Sequence, residues 1–160
     1  MADTRGMRIE PRHPADTDRC PCGSGDTFGS CCGPLVRGER RASTAEALMR
    51  SRYTAYATQD ADHLLRSWLP RTSPSYDELT ASLADEMRWL RLEIRATEGG
   101  GPFDAEGVVE FTAICRTPEG RRELRERSTF TKVDGAWQYV AGELTDVPGR
   151  REGRPGTGPR

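Results

Sequence analysis

Four of the chain's five cysteines crowd into the stretch "CPCGSGDTFGSCCG", residues 20 to 33. Thiolates are soft ligands, and a tetrahedral zinc site draws four of them from two close pairs on separate chain segments. Cys20 and Cys22 form one such pair, Cys31 and Cys32 the other. The glycines between them let the loop turn sharply, through positive φ where needed, so that the pairs can face each other. Disulfides fit poorly, because adjacent cysteines bridge only with backbone strain. An iron–sulfur cluster would also take four thiolates, but the usual cluster spacings are absent. Redox catalysis needs one exposed thiolate of low pKa, and nothing singles one out. With every coordination position filled by protein, no place remains for a reacting water, so the expected ion is one structural zinc. A segment this short, with Phe28 as its one aromatic, cannot bury a core, and the metal must fold it.

The rest of the chain has to hold this element. At 160 residues, with 34% hydrophobic and 31% charged side chains, it suits one ordinary domain plus an appendage. The start, "MADTRGMRIEPRHPADTDR", has no apolar core of an export signal, and no run of about 20 apolar residues occurs. A soluble cytoplasmic protein is expected, without membrane contact, in a compartment where clustered cysteines bind metal. A net charge of −1 argues against binding a polyanion with the whole surface. Residues 1–19 and 145–160 mix Pro, Gly and charge without periodicity and read as disordered. Nucleic acid is expected only through the arginines of that C-terminal tail.

Between these ends, Ser43 with Glu46 three residues on forms a capping-box pattern, and a helix is expected from about Thr44 to Thr58. "ADHLLRSWLP" reads as a short second helix stopped by Pro70, and "YDELTASLADEMRWL" as a third. After Trp89 the period changes to alternation in "LRLEIRAT", "GVVEFTAICRT", "RELRERSTFTKV" and "AWQYVAGE". Short turns such as Asp134-Gly135 make consecutive strands antiparallel. Helices first and a strand meander afterwards mean an α+β fold.

Cys-x-Cys-Gly-Ser-Gly, an aromatic and then Cys-Cys-Gly resembles the SEC-C motif, the zinc-binding element at the C-terminus of the SecA translocation ATPase. The fourth ligand there is often His and here would be Cys32; the lysines common after Gly-Ser-Gly are replaced by Asp26, Thr27, Gly29 and Ser30. Charge-driven docking of the knuckle on RNA or an acidic partner is therefore not implied. "CCGPLVRGERRASTAEALMRSRYTAY", "SWLP" and "ERSTF" followed by "WQYVAG" extend the resemblance to the YchJ family, which joins a SEC-C motif to a nuclear transport factor 2-like (NTF2-like) domain. The resemblance implies a knuckle over 20–34 and, over 42–144, a cone-shaped α+β domain with a curved antiparallel sheet packed on three helices. It implies no particular reaction.

Cones of this class often enclose a cavity, so polar residues facing inward matter. Ala45, Leu48, Met49, Tyr53 and Tyr56 make one helical stripe, and Arg52 falls inside it. A buried guanidinium needs a partner. Glu126, flanked on its strand face by Leu124, Ser128 and Phe130, is the expected one, and Glu110 is a second candidate. The competing expectation is that Arg52 snorkels to solvent. Trp68 and Tyr56 are candidates to line a ligand cavity, although aromatics at such spacing are equally core. Where the family resemblance places a His, this chain has Leu69; His63 and Cys115 read as core residues. Two functions follow: a protein-interaction module built on the zinc knuckle, or an enzyme or small-molecule binder working in the cone. A homodimer through the open sheet face is a further expectation from the fold class. No catalytic set can be assembled from these residues.

Overall fold

The computed structural model describes residues 9–84 and 87–145. A 3-10 turn (Phe28–Ser30) and α1 (Gly33–Val36) close the knuckle, and α2 (Ala45–Thr58), α3 (Ala61–Arg66) and α4 (Tyr76–Leu83) follow. The strands β1 (Arg88–Gly99), β2 (Glu106–Thr117), β3 (Gly120–Val133) and β4 (Ala136–Thr145) then form one antiparallel meander in sequence order. Bulges near Arg91, Ala96 and Phe130 interrupt the register and bend the sheet. The α+β class and the curved sheet are as expected, and the Asp134-Gly135 turn has both residues at positive φ, as a tight hairpin requires.

Helix α2 begins one residue later than its sequence pattern suggests. Thr44, in extended backbone, caps it by accepting from the Ala47 amide at 3.0 Å. Glu46 is thereby free to pair with Arg50 at 3.0 Å across one turn, and the expected Ser43–Glu46 box does not form. A complete box appears instead at α4, between Ser75 and Glu78.

Ala45, Leu48, Met49 and Tyr53 are buried as expected, but so are Ser51, Thr54 and Ala55 on the other side of α2. The sheet and the knuckle cover the first group, Thr54 faces Cys20 of the knuckle, and Ser51 and Ala55 pack on α3 and α4. Cys20, Cys22, Phe28 and Cys32 share one apolar core with Leu48, Met49, Val109, Phe111, Phe130 and Trp137. Knuckle and cone are one packed body, not two beads.

Residues 9–19 were expected without structure, and they are held in place. Arg12 donates its amide to Thr58 O at 2.8 Å, His13 meets Asp60 at 2.7 Å, Asp16 pairs with Arg37 at 3.0 Å, and Arg19 bridges Thr27. Polar contacts do most of this work, beside Ile9 on the α3–α4 core and the His13 ring against Phe28, and so no hydrophobic period announced it. Residues 1–8 and 146–160, where the rest of the expected disorder falls, lie outside the described residues.

Candidate functional site

The four thiols are drawn together by local backbone rules. Gly23, at φ +80°, donates to Cys20 O at 3.1 Å and closes a turn that points Cys20 and Cys22 the same way. The chain then returns as a small ribbon, with Cys20 N donating to Asp26 O and Phe28 N to Asp18 O. Phe28, fully buried, fixes the 3-10 turn that delivers Cys31 and Cys32. Gly29 and Gly33 sit where a Cβ would strike Asp16 and the Phe28 carbonyl, respectively.

All four sulfurs lie within 4.8 Å of one another. Cys22 and Cys31 are 3.6 Å apart, Cys31 and Cys32 3.9 Å. A tetrahedron with sulfur at about 2.3 Å from its centre has edges of about 3.8 Å, so the cluster has the dimensions of a four-thiolate metal site. Hydrogen bonds from Cys20 and Cys32 hold Cys22 well below the usual thiol range, and the same network together with burial raises Cys32. Burial and then the neighbouring Cys22 push Cys31 up to about 11. Thiols that must share protons in this way release them when a cation takes their place.

Helix α2 and the knuckle loop supply further groups around these sulfurs, none of them among the residues expected from the sequence. Arg50 Nη1 donates to Cys22 O at 3.2 Å and reaches its sulfur at 3.8 Å, oriented by Glu46. Thr54 Oγ1 lies 3.9 Å from Cys20 Sγ, and Ser24 Oγ 3.2 Å from Cys31 Sγ. A guanidinium and hydroxyls facing thiolates offset part of their negative charge and orient them. The signal was present: Arg50 follows Glu46 by four residues and lies off the sheet-facing stripe.

Inside the cone the second group of candidates is only partly brought together. Arg52 is 2% exposed. Its guanidinium lies between two rings, 4.6 Å from the centroid of Trp68 and 4.2 Å from that of Tyr139. It donates to Leu64 O at 3.0 Å and Ser67 Oγ at 2.7 Å, and its charge faces the Tyr56 hydroxyl. Burial pulls its pKa down, opposed by Tyr56, Tyr139 and Glu126. The snorkelling alternative does not occur.

The expected direct pair with Glu126 becomes an indirect one through Tyr139. Glu126 accepts from Ser128 at 2.8 Å and from the Tyr139 hydroxyl at 3.1 Å, while the Tyr139 ring stacks on Arg52. The carboxylate fits because residue 142 is glycine; a Cβ there would overlap it. Trp68 is positioned by a parallel bridge to β4, Leu69 N donating to Tyr139 O and Tyr139 N to Ser67 O. Its Nε1 is buried without a hydrogen-bond partner among the described residues.

Glu110 is corrected outright. It pairs in register with Arg127 and lies on the opposite face of the sheet from Phe111 and Glu126, bonded to Arg127 at 2.6 Å. Strand alternation puts it there, because Val109, Phe111 and Ala113 take the inner face.

His63 is a core residue with a fixed tautomer. Ser51 Oγ gives its proton to Leu48 O, so His63 Nε2 donates to Ser51 at 2.9 Å and Nδ1 faces Arg66 at 3.4 Å. Burial, then the charges of Arg66 and Arg52, lower its pKa to about 3. The unfolded chain therefore takes up a proton between pH 6.5 and 3 that the folded chain refuses, so this contribution to stability is present above 6.5 and lost as pH falls. Between pH 6.5 and 5 the wild type should lose about 2 kcal/mol more than His63→Asn, as read by urea denaturation at both pH values.

A closed four-thiol centre welded to an α+β cone defines the class: a SEC-C protein with an NTF2-like domain. The sequence pattern of the SEC-C motif matches residues 17–34, and that described as "YchJ, middle NTF2-like domain" matches 44–142. The chain belongs to the YchJ family, also designated UPF0225. It is 51% identical to a UPF0225 protein of Corynebacterium efficiens over 83% of this chain and 99% of that one. A UPF0225 protein of Geobacter sulfurreducens is 49% identical over 79% of each. Among solved structures, a SEC-C motif containing protein from Rhodopseudomonas palustris superimposes with a TM-score of 0.71 at 37% identity, covering 79% of this chain and 98% of that one. One from Psychrobacter arcticus gives 0.68 at 25% identity, covering 82% and 85%. Among the described residues no helix is long and apolar enough to cross a membrane.

Proposed function

We propose that this chain is a protein-interaction module whose shape is fixed by one structural zinc ion. Cys20, Cys22, Cys31 and Cys32 would hold the ion; their number, chemistry and spacing fit it and leave no open position. Bound zinc supplies folding energy to the knuckle. The cytoplasm is the compartment in which four such thiols stay reduced.

The observation that carries the interaction reading is Phe103, 99% exposed at the tip of the β1–β2 hairpin. Large apolar side chains on a rigid support are what interfaces use as anchors. This tip is tied down on every side. Gly101 and Asp104 bond each other, Lys132 Nζ donates to Pro102 O at 2.8 Å, Lys132 N to Ala105 O, and Ala45 N to Gly100 O. Little ordering entropy remains to be lost on docking. The partner in this reading is a protein presenting an apolar pocket for one aromatic ring.

A photo-crosslinking amino acid at position 103, in cells, tests this against one at exposed Glu119 at the other end of the sheet. A discrete adduct at 103 alone supports the reading; none at 103, or the same adducts at both, overturns it. The cone-ligand reading is favoured by one observation, the unpartnered buried Trp68 Nε1 beside Arg52. Such a donor suits an acceptor atom of a small molecule, and a metabolite whose stabilising thermal shift vanishes in Trp68→Phe would support that alternative.

A further inference from the structure

A cavity outside the cone interior and the knuckle lies where the linker after α1 meets β4. It is a cleft of about 450 Å³ walled by Arg40, Arg41 and Arg66, with Leu48 and Trp137 as its apolar floor and His63 behind. That volume is within the range of small-molecule sites.

Two of these guanidiniums are anchored by hydrogen bonds. Arg41 Nη1 donates to Asp134 O at 3.1 Å, and Arg66 Nη2 donates to Val36 O at 2.8 Å. These anchors are in two elements, the β3–β4 turn and the end of α1. Both are neutral carbonyls, so they orient the arginines without cancelling their charge. Gly135 at φ +82° leaves the room that Arg41 occupies; a Cβ there would lie 2.9 Å from Nη1. Glu39, the acidic residue of the lining, is turned away onto Arg37 at 2.9 Å. His63 stays neutral and accepts from Arg66.

We infer that this cleft binds a small organic oxyanion, a phosphate ester or a carboxylate. Planar guanidiniums lining one cleft match the paired oxygens of either group. A nucleic acid strand does not suit the site. The Trp137 ring, which would have to stack a base, is covered by Lys132 at 5.0 Å and is itself 3% exposed. The inference stands apart from the interaction reading, since neither Phe103 nor the thiols take part.

The test uses the full zinc-loaded chain, titrated separately with pyrophosphate and with citrate and followed by NMR at the Trp137 indole and His63 ring. Saturable shifts confined to the cleft are expected. Arg40→Ala/Arg41→Ala, which alters two exposed side chains, should weaken binding by at least about tenfold while leaving the melting temperature nearly unchanged. Preference for pyrophosphate over citrate would assign a phosphate ester, and the reverse a carboxylate. Absence of saturation, shifts only in the arginine-bearing C-terminal segment, or equal binding by the double variant would overturn the inference.

Discussion

Cys32→Ser is expected to lower the melting temperature of the whole chain by about 10 °C, and a strong chelator should do the same to the wild type while adding nothing to the variant. The size follows from how the centre is packed. A structural four-ligand zinc site contributes on the order of 10 kcal/mol to an isolated knuckle, of which part is offset here by a cone with its own core. A net loss of about 4 kcal/mol corresponds to about 10 °C for a chain of this length. The loss is global because Cys20, Cys22, Phe28 and Cys32 share their core with Leu48, Met49 and Trp137. Once the knuckle loosens, Thr54, which faces Cys20 from α2, also loses its cover. Differential scanning calorimetry of the two proteins, with and without chelator, measures it. A variant melting within about 2 °C of wild type would mean that the knuckle is an appendage.

Arg52→Ala should cost about 3–5 kcal/mol in urea denaturation, and Arg52→Met distinctly less. Truncation leaves a void between Trp68 and Tyr139 and takes away the charged donor to Leu64 O and Ser67 Oγ. Methionine fills most of the volume and removes the cost of burying a charge, a trade often near neutral when an ion is replaced by a hydrophobe of similar size. Arg52→Lys should not rescue, because an ammonium cannot stack flat between two rings while donating to Ser67. Had Arg52 snorkelled to solvent, all three changes would cost under about 1 kcal/mol; that outcome would remove the buried guanidinium from the account.

What the sequence made legible was what depends on local chemistry. Cysteine spacing gave the thiol cluster, and the change of period near Trp89 gave helices followed by a meander. Alternation in "VVEFTAIC" already put Glu110 outside, since Val109, Phe111 and Ala113 point the other way; choosing it as a pocket residue ignored that rule. Arg52 was identified by its place on a buried stripe, but its neighbours were not. Tyr139 reaches it across the sheet, and Glu126 lies where Gly142 leaves room, both set by register and by the bulge near Phe130. The ordered segment 9–19 was invisible because its anchors are single hydrogen bonds and ion pairs to residues far along the chain. Arg50 and Thr54 lie thirty residues or so from the sulfurs they face, a relation that only the packing of α2 on the knuckle creates.

The central claim is that Cys20, Cys22, Cys31 and Cys32 together hold one structural zinc ion. X-ray absorption at the zinc edge on the purified full-length protein tests it most directly. One zinc per chain is expected, with a single shell of four sulfurs at about 2.3 Å, unchanged by Arg52→Met. A shell of three or fewer sulfurs completed by oxygen or nitrogen, or a protein that folds fully without metal, would contradict it.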